Sequence, residues 1–132
     1  IYISRNKASS RRVVNEEDVI RCLEAFGIVP VYLEDWTVAQ QIQLFASAKV
    51  IVGPHGAGLA NLAFCQPGTQ VIEMLHAQHV VPTYWMISNH MALDYYMVYA
   101  QGKPDPAIKF PGLEDIYVDT ERLKQTLRLA GL

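Results

Sequence analysis

An apolar, β-branched run that stops at a glycine-rich turn constrains this chain more than any other feature. The run Val50-Ile51-Val52 leads into Gly53-Pro54-His55-Gly56-Ala57-Gly58, and a helix-compatible segment follows. Glycine has no Cβ, so the backbone of such a turn can approach a ligand closely. The next helix would present unpaired N–H groups and the positive end of its dipole. The pattern therefore predicts a strand, a phosphate-binding turn and a helix.

Strand-like and helix-like segments alternate along the rest of the chain. Short apolar runs predict strands at 1–4, 28–33, 49–52, 70–75 and 93–100. Helical periodicity predicts helices at 16–26, 38–46, 57–64, 83–91 and 120–130. Such alternation with short connections requires a parallel sheet with helices on both faces. We therefore predict an α/β fold, a Rossmann-like doubly wound parallel sheet of about five strands.

Local signals support three of the helix starts and one long loop. Asn15 is expected to cap the first helix, and Asp119 the last. Thr37 and Gln40 have the spacing of a capping box. The segment 102–112 contains three prolines and predicts a loop.

Polar residues follow several of the predicted strands at their carboxyl ends. These are Arg5, Glu34, the turn at 53–58, and the segment 73–76. In doubly wound sheets, ligands bind beyond the carboxyl ends of the strands. The four positions are therefore expected to converge on one binding edge.

The spacing of the turn limits which ligand it could hold. Gly-x-x-Gly-x-Gly is not the dinucleotide pattern Gly-x-Gly-x-x-Gly, and it lacks the Lys-Ser/Thr ending of an ATP-binding P-loop. Neither a nicotinamide cofactor nor ATP hydrolysis is indicated. The alternative is a tight strand-to-helix turn that binds nothing.

Arginine side chains near the turn are candidates for binding a diphosphate, because the guanidinium fork pairs well with phosphate oxygens. Arg5 directly follows the first strand, and Arg12 lies in the same basic segment. The alternative for both is a solvated loop, which is the interpretation we favour for Arg11.

Two further residues have a plausible chemical role at this edge. Glu73 ends the fourth strand and is expected to accept hydrogen bonds from ribose hydroxyls, or else to be satisfied by a helix N-terminus. His55 is expected to donate to a phosphate or to protonate a leaving group. It could instead pack within the turn and bond to the backbone.

Composition excludes several classes of function. The 132 residues suffice for one domain, and the net charge of −2 disfavours a nucleic-acid partner. No apolar run approaches the ~20 residues that span a bilayer. Cys22 and Cys65 are expected to be buried thiols, which favours a reducing compartment. His76 and His79 alone do not make a metal site.

Several of these segments together resemble glycosyltransferase family 61. The matching segments are 2–5, 12–17, 51–59 with Asn61, 64–68 and 71–73. The resemblance implies one half of a GT-B fold, in which two Rossmann-like domains face a cleft and no metal or other cofactor is required. The resemblance implies that the sugar donor is a UDP-linked nucleotide sugar and that His55 has a catalytic role. The residues implied to contact this nucleotide sugar are Arg5, Arg12, Gly53, Gly56, Ala57, Gly58 and Glu73.

The resemblance also implies what surrounds this domain. Residues 1–132 would be a single nucleotide-sugar-binding domain, a fragment of a longer chain whose N-terminal domain binds the glycan or protein acceptor. We expect polysaccharide biosynthesis in a bacterial cytoplasm, with the endoplasmic reticulum or Golgi lumen as the alternative. Exposed apolar surface could drive homodimer formation. The alternative function is a non-catalytic module that binds a nucleotide or nucleotide sugar.

Overall fold

The computed structural model describes all 132 residues and contains one six-stranded sheet. The strands are β1 (Tyr2–Ile3), β2 (Pro30–Val31), β3 (Val50–Pro54), β4 (Gln70–His76), β5 (Asp94–Lys103) and β6 (Asp115–Tyr117). The α-helices are α1 (Glu16–Glu24), α2 (Val38–Ser47), α3 (Thr83–His90) and α4 (Thr120–Leu129). Three 3₁₀ segments span Leu33–Asp35, Ala57–Phe64 and Pro111–Leu113.

The sheet is parallel except at one edge. Its order is β2-β1-β3-β4-β5-β6, and only β6 runs antiparallel to its neighbour. The expected count of about five strands was wrong, because β6 adds a sixth. This strand has three residues and follows a proline-containing loop, so it is too short to show the alternation that marks a strand in the sequence.

Helices cover both faces of the sheet, as the alternating pattern predicts. On one face, Val19 and Leu23 of α1 and Leu123 of α4 pack with Val52 and Ile72. The opposite core contains Phe45 of α2, Leu59 of the 3₁₀ segment, Tyr84 of α3, and the strand residues Ile51 and Val71. Consecutive strand residues therefore alternate between two cores, as the pleat requires.

The chain changes direction across the sheet between β1 and β3. From β1 it crosses to β2 on one side, and after α2 it returns to β3 on the other side of β1. Such a reversal leaves a crevice beyond the carboxyl ends of the neighbouring strands β1 and β3. The residues that follow these strands border this crevice, and they include Arg5 and residues 55–58 of the glycine turn.

The capping predictions are confirmed for α2 and α4, but the side-chain cap predicted for α1 is absent. The Thr37 and Gln40 capping box is present, and Asp119 accepts from the backbone N–H groups of Glu121 and Arg122. Asn15 occupies the N-cap position of α1, but its side chain makes no capping bond. Its amide instead bonds both the N–H and the C=O of Val118, at 3.0 and 2.8 Å. Asn15 thus ties α1 to the segment after β6.

Replacing Asn15 with alanine is expected to destabilise the fold by about 1–3 kcal/mol, because two backbone groups of the buried Val118 would lose their partner. Urea unfolding measures this change. The matched control is Asn6→Ala, since the Asn6 side chain is exposed and makes no hydrogen bond within the protein. Equal stabilities for the two variants would contradict the assigned role of Asn15.

Candidate functional site

Basic and aromatic side chains gather at the carboxyl ends of β1, β3 and β4. The contributing residues are Arg5, Arg11, His55, His76, His79 and Tyr84. A small cleft at this edge is lined by Arg11 and by the three histidines His55, His76 and His79. The edge is therefore rich in hydrogen-bond donors and carries at least two positive charges from its arginines.

The glycine turn leaves room for the guanidinium of Arg5. A Cβ at Gly56 would lie 3.0 Å from Cζ of Arg5 and would overlap its Nη1. The backbone of Gly56 is extended, so close approach rather than backbone conformation requires glycine here. Gly53 and Gly58 have a packing role, since a Cβ at either would press on Ile3 or Leu33.

Arg5 is held beside the turn without a carboxylate partner. Its Nη2 donates to the carbonyl of Ser10 at 3.0 Å, and its buried Nε has no hydrogen-bond partner. Burial and the nearby charge of Arg11 lower the pKa of Arg5, although the arginine remains charged. A partly desolvated guanidinium with an unused donor is suited to an anionic ligand.

Arg11 occupies a different environment from the solvated loop that we expected. Its backbone has φ of +57°, a left-handed conformation, and its side chain lines the cleft beside His55. The Nε of Arg11 is also buried without a partner. Like Arg5, it forms no salt bridge. The solvated-loop expectation for Arg11 was wrong, because its turn folds the side chain back over the strand ends.

Arg12 is engaged by the edge of the sheet instead. Its Nη2 and Nε donate to Oδ2 of Asp115 at 2.8 and 3.1 Å. Its backbone N–H donates to Oδ1 of the same carboxylate at 2.9 Å. These contacts fasten the loop before α1 to β6, and the structure does not bring Arg12 into contact with Gly56.

Glu73 is completely buried, and both of its oxygens are engaged. Oε1 lies 2.5 Å from Nδ1 of His55, and Oε2 accepts from the Tyr95 hydroxyl at 2.5 Å. A carboxylate with no exposed surface is not free to bind ribose hydroxyls. Nor does a helix N-terminus satisfy it. Glu73 therefore differs from both expectations, since a sequence gives the strand position of a side chain but not the partners that surround it.

The other two histidines line the same cleft. Nδ1 of His76 accepts from the backbone N–H of Gln78 at 3.0 Å, so its Nε2 carries the proton that faces Glu114, also at 3.0 Å. The ring of His79 packs edge-on against Phe110. Burial, His55 and Arg11 lower the pKa of His79 and favour its neutral form. The sequence placed His76 at this edge, within the segment 73–76, but it indicated no chemical role for either histidine.

A second cleft, of about 350 Å³, is lined by Arg5. Its polar lining includes Glu34, Gln41 and Asn61. The amide of Asn61 donates to Gln41 at 2.9 Å, and Gln41 donates to the carbonyl of Leu33 at 2.9 Å. Arg5 therefore borders a cleft that contains Glu34, a carboxylate that forms no salt bridge, whereas Arg11 borders the cleft that is lined by histidines.

Two other expectations concern cysteines and membrane spans. Cys22 and Cys65 are buried free thiols, as predicted, and burial raises the pKa of Cys65 to about 11. No helix has both the length and the apolar character needed to cross a membrane.

The sequence matches a known family over the part that forms this edge. The family described as Glycosyltransferase 61 matches residues 1–72, which hold β1 to β3, the glycine turn and the start of β4. The chain therefore belongs to glycosyltransferase family 61.

Curated relatives agree with this assignment. The chain is similar to the β-1,2-xylosyltransferase RCN11 of Oryza sativa (25% identical, 76% of this chain and 21% of that protein). It is similar to a β-1,2-xylosyltransferase of Arabidopsis thaliana (24%, covering 80% and 22%). It also matches the protein O-linked-mannose β-1,4-N-acetylglucosaminyltransferase 2 of Tetraodon nigroviridis (29%, covering 52% and 12%). The chain spans about a fifth of the length of the two plant relatives.

The Asp115 contact gives a pH-dependent prediction. Burial opposes ionisation of Asp115, but hydrogen bonds from the Arg12 guanidinium and backbone outweigh it and lower the pKa below the ordinary 3.8. The stabilisation is therefore present above that ordinary value and is lost as the pH falls through the lowered pKa. Asp115→Asn is expected to unfold at lower urea concentration at pH 7, with the difference from wild type shrinking below pH 4.

Glu121→Gln is the control for this experiment, because Glu121 is exposed and pairs only with Lys124 three residues along the same helix. A difference between Asp115→Asn and wild type that persisted unchanged to pH 2 would contradict the ionic contribution.

Proposed function

We propose that this chain is the donor-binding domain of a glycosyltransferase that transfers a sugar from a UDP-linked donor to a glycan or protein acceptor. The observation that carries the proposal is the pair of half-exposed guanidiniums, Arg5 and Arg11, each with a buried Nε that lacks a partner. They lie at the crevice of an α/β sheet, where such folds bind ligands. Membership of the glycosyltransferase family supports the same function.

The chemistry explains why such a site would need arginine. When a sugar leaves a nucleotide diphosphate, negative charge develops on the departing phosphate oxygens. Preorganised donors in a partly dehydrated site stabilise this charge more strongly than water does. Two guanidiniums and the N–H groups that open the Ala57–Phe64 segment would supply those donors without a metal ion.

In this proposal Arg5 and Arg11 bind the diphosphate together with His55. Arg11 replaces Arg12, whose guanidinium is already paired with Asp115. The Nε2 atom of His55 makes no hydrogen bond within the protein and would donate to a phosphate oxygen or protonate the leaving group. His55 would therefore be the residue of this domain that touches the reacting atoms.

The nucleoside would occupy the cleft beside Glu34. In doubly wound sheets an acidic residue after the second strand commonly receives the ribose hydroxyls. Glu34 has this position, since it lies in the 3₁₀ segment directly after β2, and it is exposed in the cleft next to Arg5. The proposed ribose contact accordingly moves from the buried Glu73 to Glu34.

The remaining parts of the reaction would come from a second domain. In a GT-B arrangement this Rossmann-like domain faces another across a cleft, and that second domain binds the acceptor and supplies the base. The named relatives transfer xylose and N-acetylglucosamine. UDP-xylose and UDP-N-acetylglucosamine are therefore the first donors to test.

Calorimetric titration of the full-length protein with UDP tests this assignment. Arg5→Ala and Arg11→Ala are each expected to weaken UDP binding by about 10- to 100-fold, because each removes charge-assisted hydrogen bonds to the diphosphate. Arg12→Ala is the matched control, and its affinity should stay within about twofold of wild type.

Two outcomes would count against the proposal. Loss of affinity in Arg12→Ala, with no change in the Arg5 and Arg11 variants, would place the diphosphate elsewhere. Failure of the wild-type protein to bind UDP or either UDP-sugar would exclude donor binding. UDP binding without sugar transfer to any acceptor would favour the non-catalytic nucleotide-binding module.

A further inference from the structure

Glu73 is a fully buried carboxylate without an arginine or lysine partner. Burial of an ionised carboxylate is costly unless hydrogen bonds compensate it. The only side chains that form hydrogen bonds with its oxygens are His55 and Tyr95, one on each oxygen. An apolar residue would fill the same space without this cost, so packing alone does not explain a carboxylate in this position.

We propose that Glu73 and Tyr95 are positioning residues that hold the His55 ring with Nδ1 toward the core and Nε2 toward the diphosphate. The inference deepens the proposed function and rests on it for the identity of the anion. The positioning itself rests only on the geometry of the three side chains.

The sheet register brings the three residues together on one face. His55 directly follows β3, Glu73 lies in the middle of β4, and Tyr95 lies near the start of β5. Glu73 pairs with Gly53 on one side and with Met97 on the other, and Tyr95 shares the face of Met97 two residues away. Two adjacent strands and the residue that directly follows a third thus supply the network. The backbone N–H of His55 also donates to the carbonyl of Met74 in β4, which holds this residue against the sheet.

The hydrogen bond with Glu73 fixes the tautomer of a neutral His55 ring. Glu73 accepts at Nδ1, so the proton of a neutral His55 ring lies on Nδ1 and the lone pair lies on Nε2. When His55 is protonated, Nε2 becomes a donor that points away from the core. The centroid of the His55 ring lies 5.1 Å from that of Tyr84 and 6.1 Å from that of His79. These neighbouring rings limit rotation of the imidazole.

Tyr95 fixes the other half of the carboxylate. Its hydroxyl donates to Oε2 of Glu73, and this prevents the carboxylate from turning away from His55. Burial and the neighbouring Glu73 raise the pKa of Tyr95, so the hydroxyl keeps its proton at every physiological pH. A donor of this kind orients the carboxylate as the carboxylate orients the histidine.

A double-mutant cycle on the full-length protein separates positioning from a purely structural role. In the wild-type background, Tyr95→Phe is expected to weaken UDP binding by about tenfold through loss of the hydroxyl that orients Glu73. In the His55→Ala background the same substitution should cause no further loss, since it acts through His55. Tyr96→Phe is the control, because the Tyr96 hydroxyl makes no hydrogen bond and the ring faces the opposite core.

A second measurement needs no ligand. Diethyl pyrocarbonate acylates an unprotonated imidazole nitrogen, and peptide mass spectrometry reports which histidine reacts. Glu73→Gln and Tyr95→Phe are each expected to change the labelling rate of His55 several-fold, while the exposed His90 reacts at the wild-type rate in both. If Glu73→Gln fails to fold, Tyr95→Phe, which keeps the aromatic ring, decides the question.

Together the two experiments distinguish failure of the positioning role from failure of the proposed function. Equal losses of affinity in both backgrounds, or unchanged labelling of His55 in Tyr95→Phe, would overturn the positioning role. Absence of UDP binding by the wild-type protein together with altered His55 labelling in the variants would overturn the proposed function and leave the positioning of the ring established.

Discussion

The guanidinium of Arg5, pressed against a glycine and left without a carboxylate, is the contact on which the proposed site depends. Water hydrates the guanidinium of an exposed arginine, and a carboxylate usually pairs with that of a buried one. Arg5 is partly shielded from water and forms no salt bridge with a carboxylate. A Cβ at position 56 would displace the guanidinium of Arg5 from this place. A half-dehydrated cation at the crevice of a parallel sheet is a stronger anion site than the same charge on an open surface.

The fold supplies the rest of the site through its strand order. Because β1 lies between β2 and β3, the residues after these strands meet around one crevice. β4 and β5 contribute the buried Glu73 and the partly buried Tyr95, whose hydroxyl donates to the Glu73 carboxylate. In the antiparallel β6, Asp115 pairs with Arg12, and Glu114, the residue before this strand, lies within hydrogen-bonding distance of His76. In the proposed function, Arg11 binds the diphosphate while the adjacent Arg12 has a structural role.

The sequence predicted the architecture better than the contacts. Apolar runs identified five of the six strands, although β3 continues through Gly53 and Pro54, the first two residues of the predicted turn. The helix predicted at 57–64 is a 3₁₀ segment. The short β6 has too few residues to show a period. Arg11 and Arg12 are adjacent and chemically identical, so only the left-handed turn at Arg11 distinguishes the cleft-facing residue from the one that pairs with Asp115. Glu73 ends in the core because β5 supplies Tyr95, a partner 22 residues away that no local pattern reveals.

A crystal structure of the full-length protein with UDP bound is the most direct test of the account. The prediction is that the diphosphate lies within hydrogen-bonding distance of the Arg5 and Arg11 guanidiniums and of Nε2 of His55, with the ribose beside Glu34. A diphosphate bound at another edge of the sheet, with the Nε atoms of both arginines still unpartnered, would contradict the account.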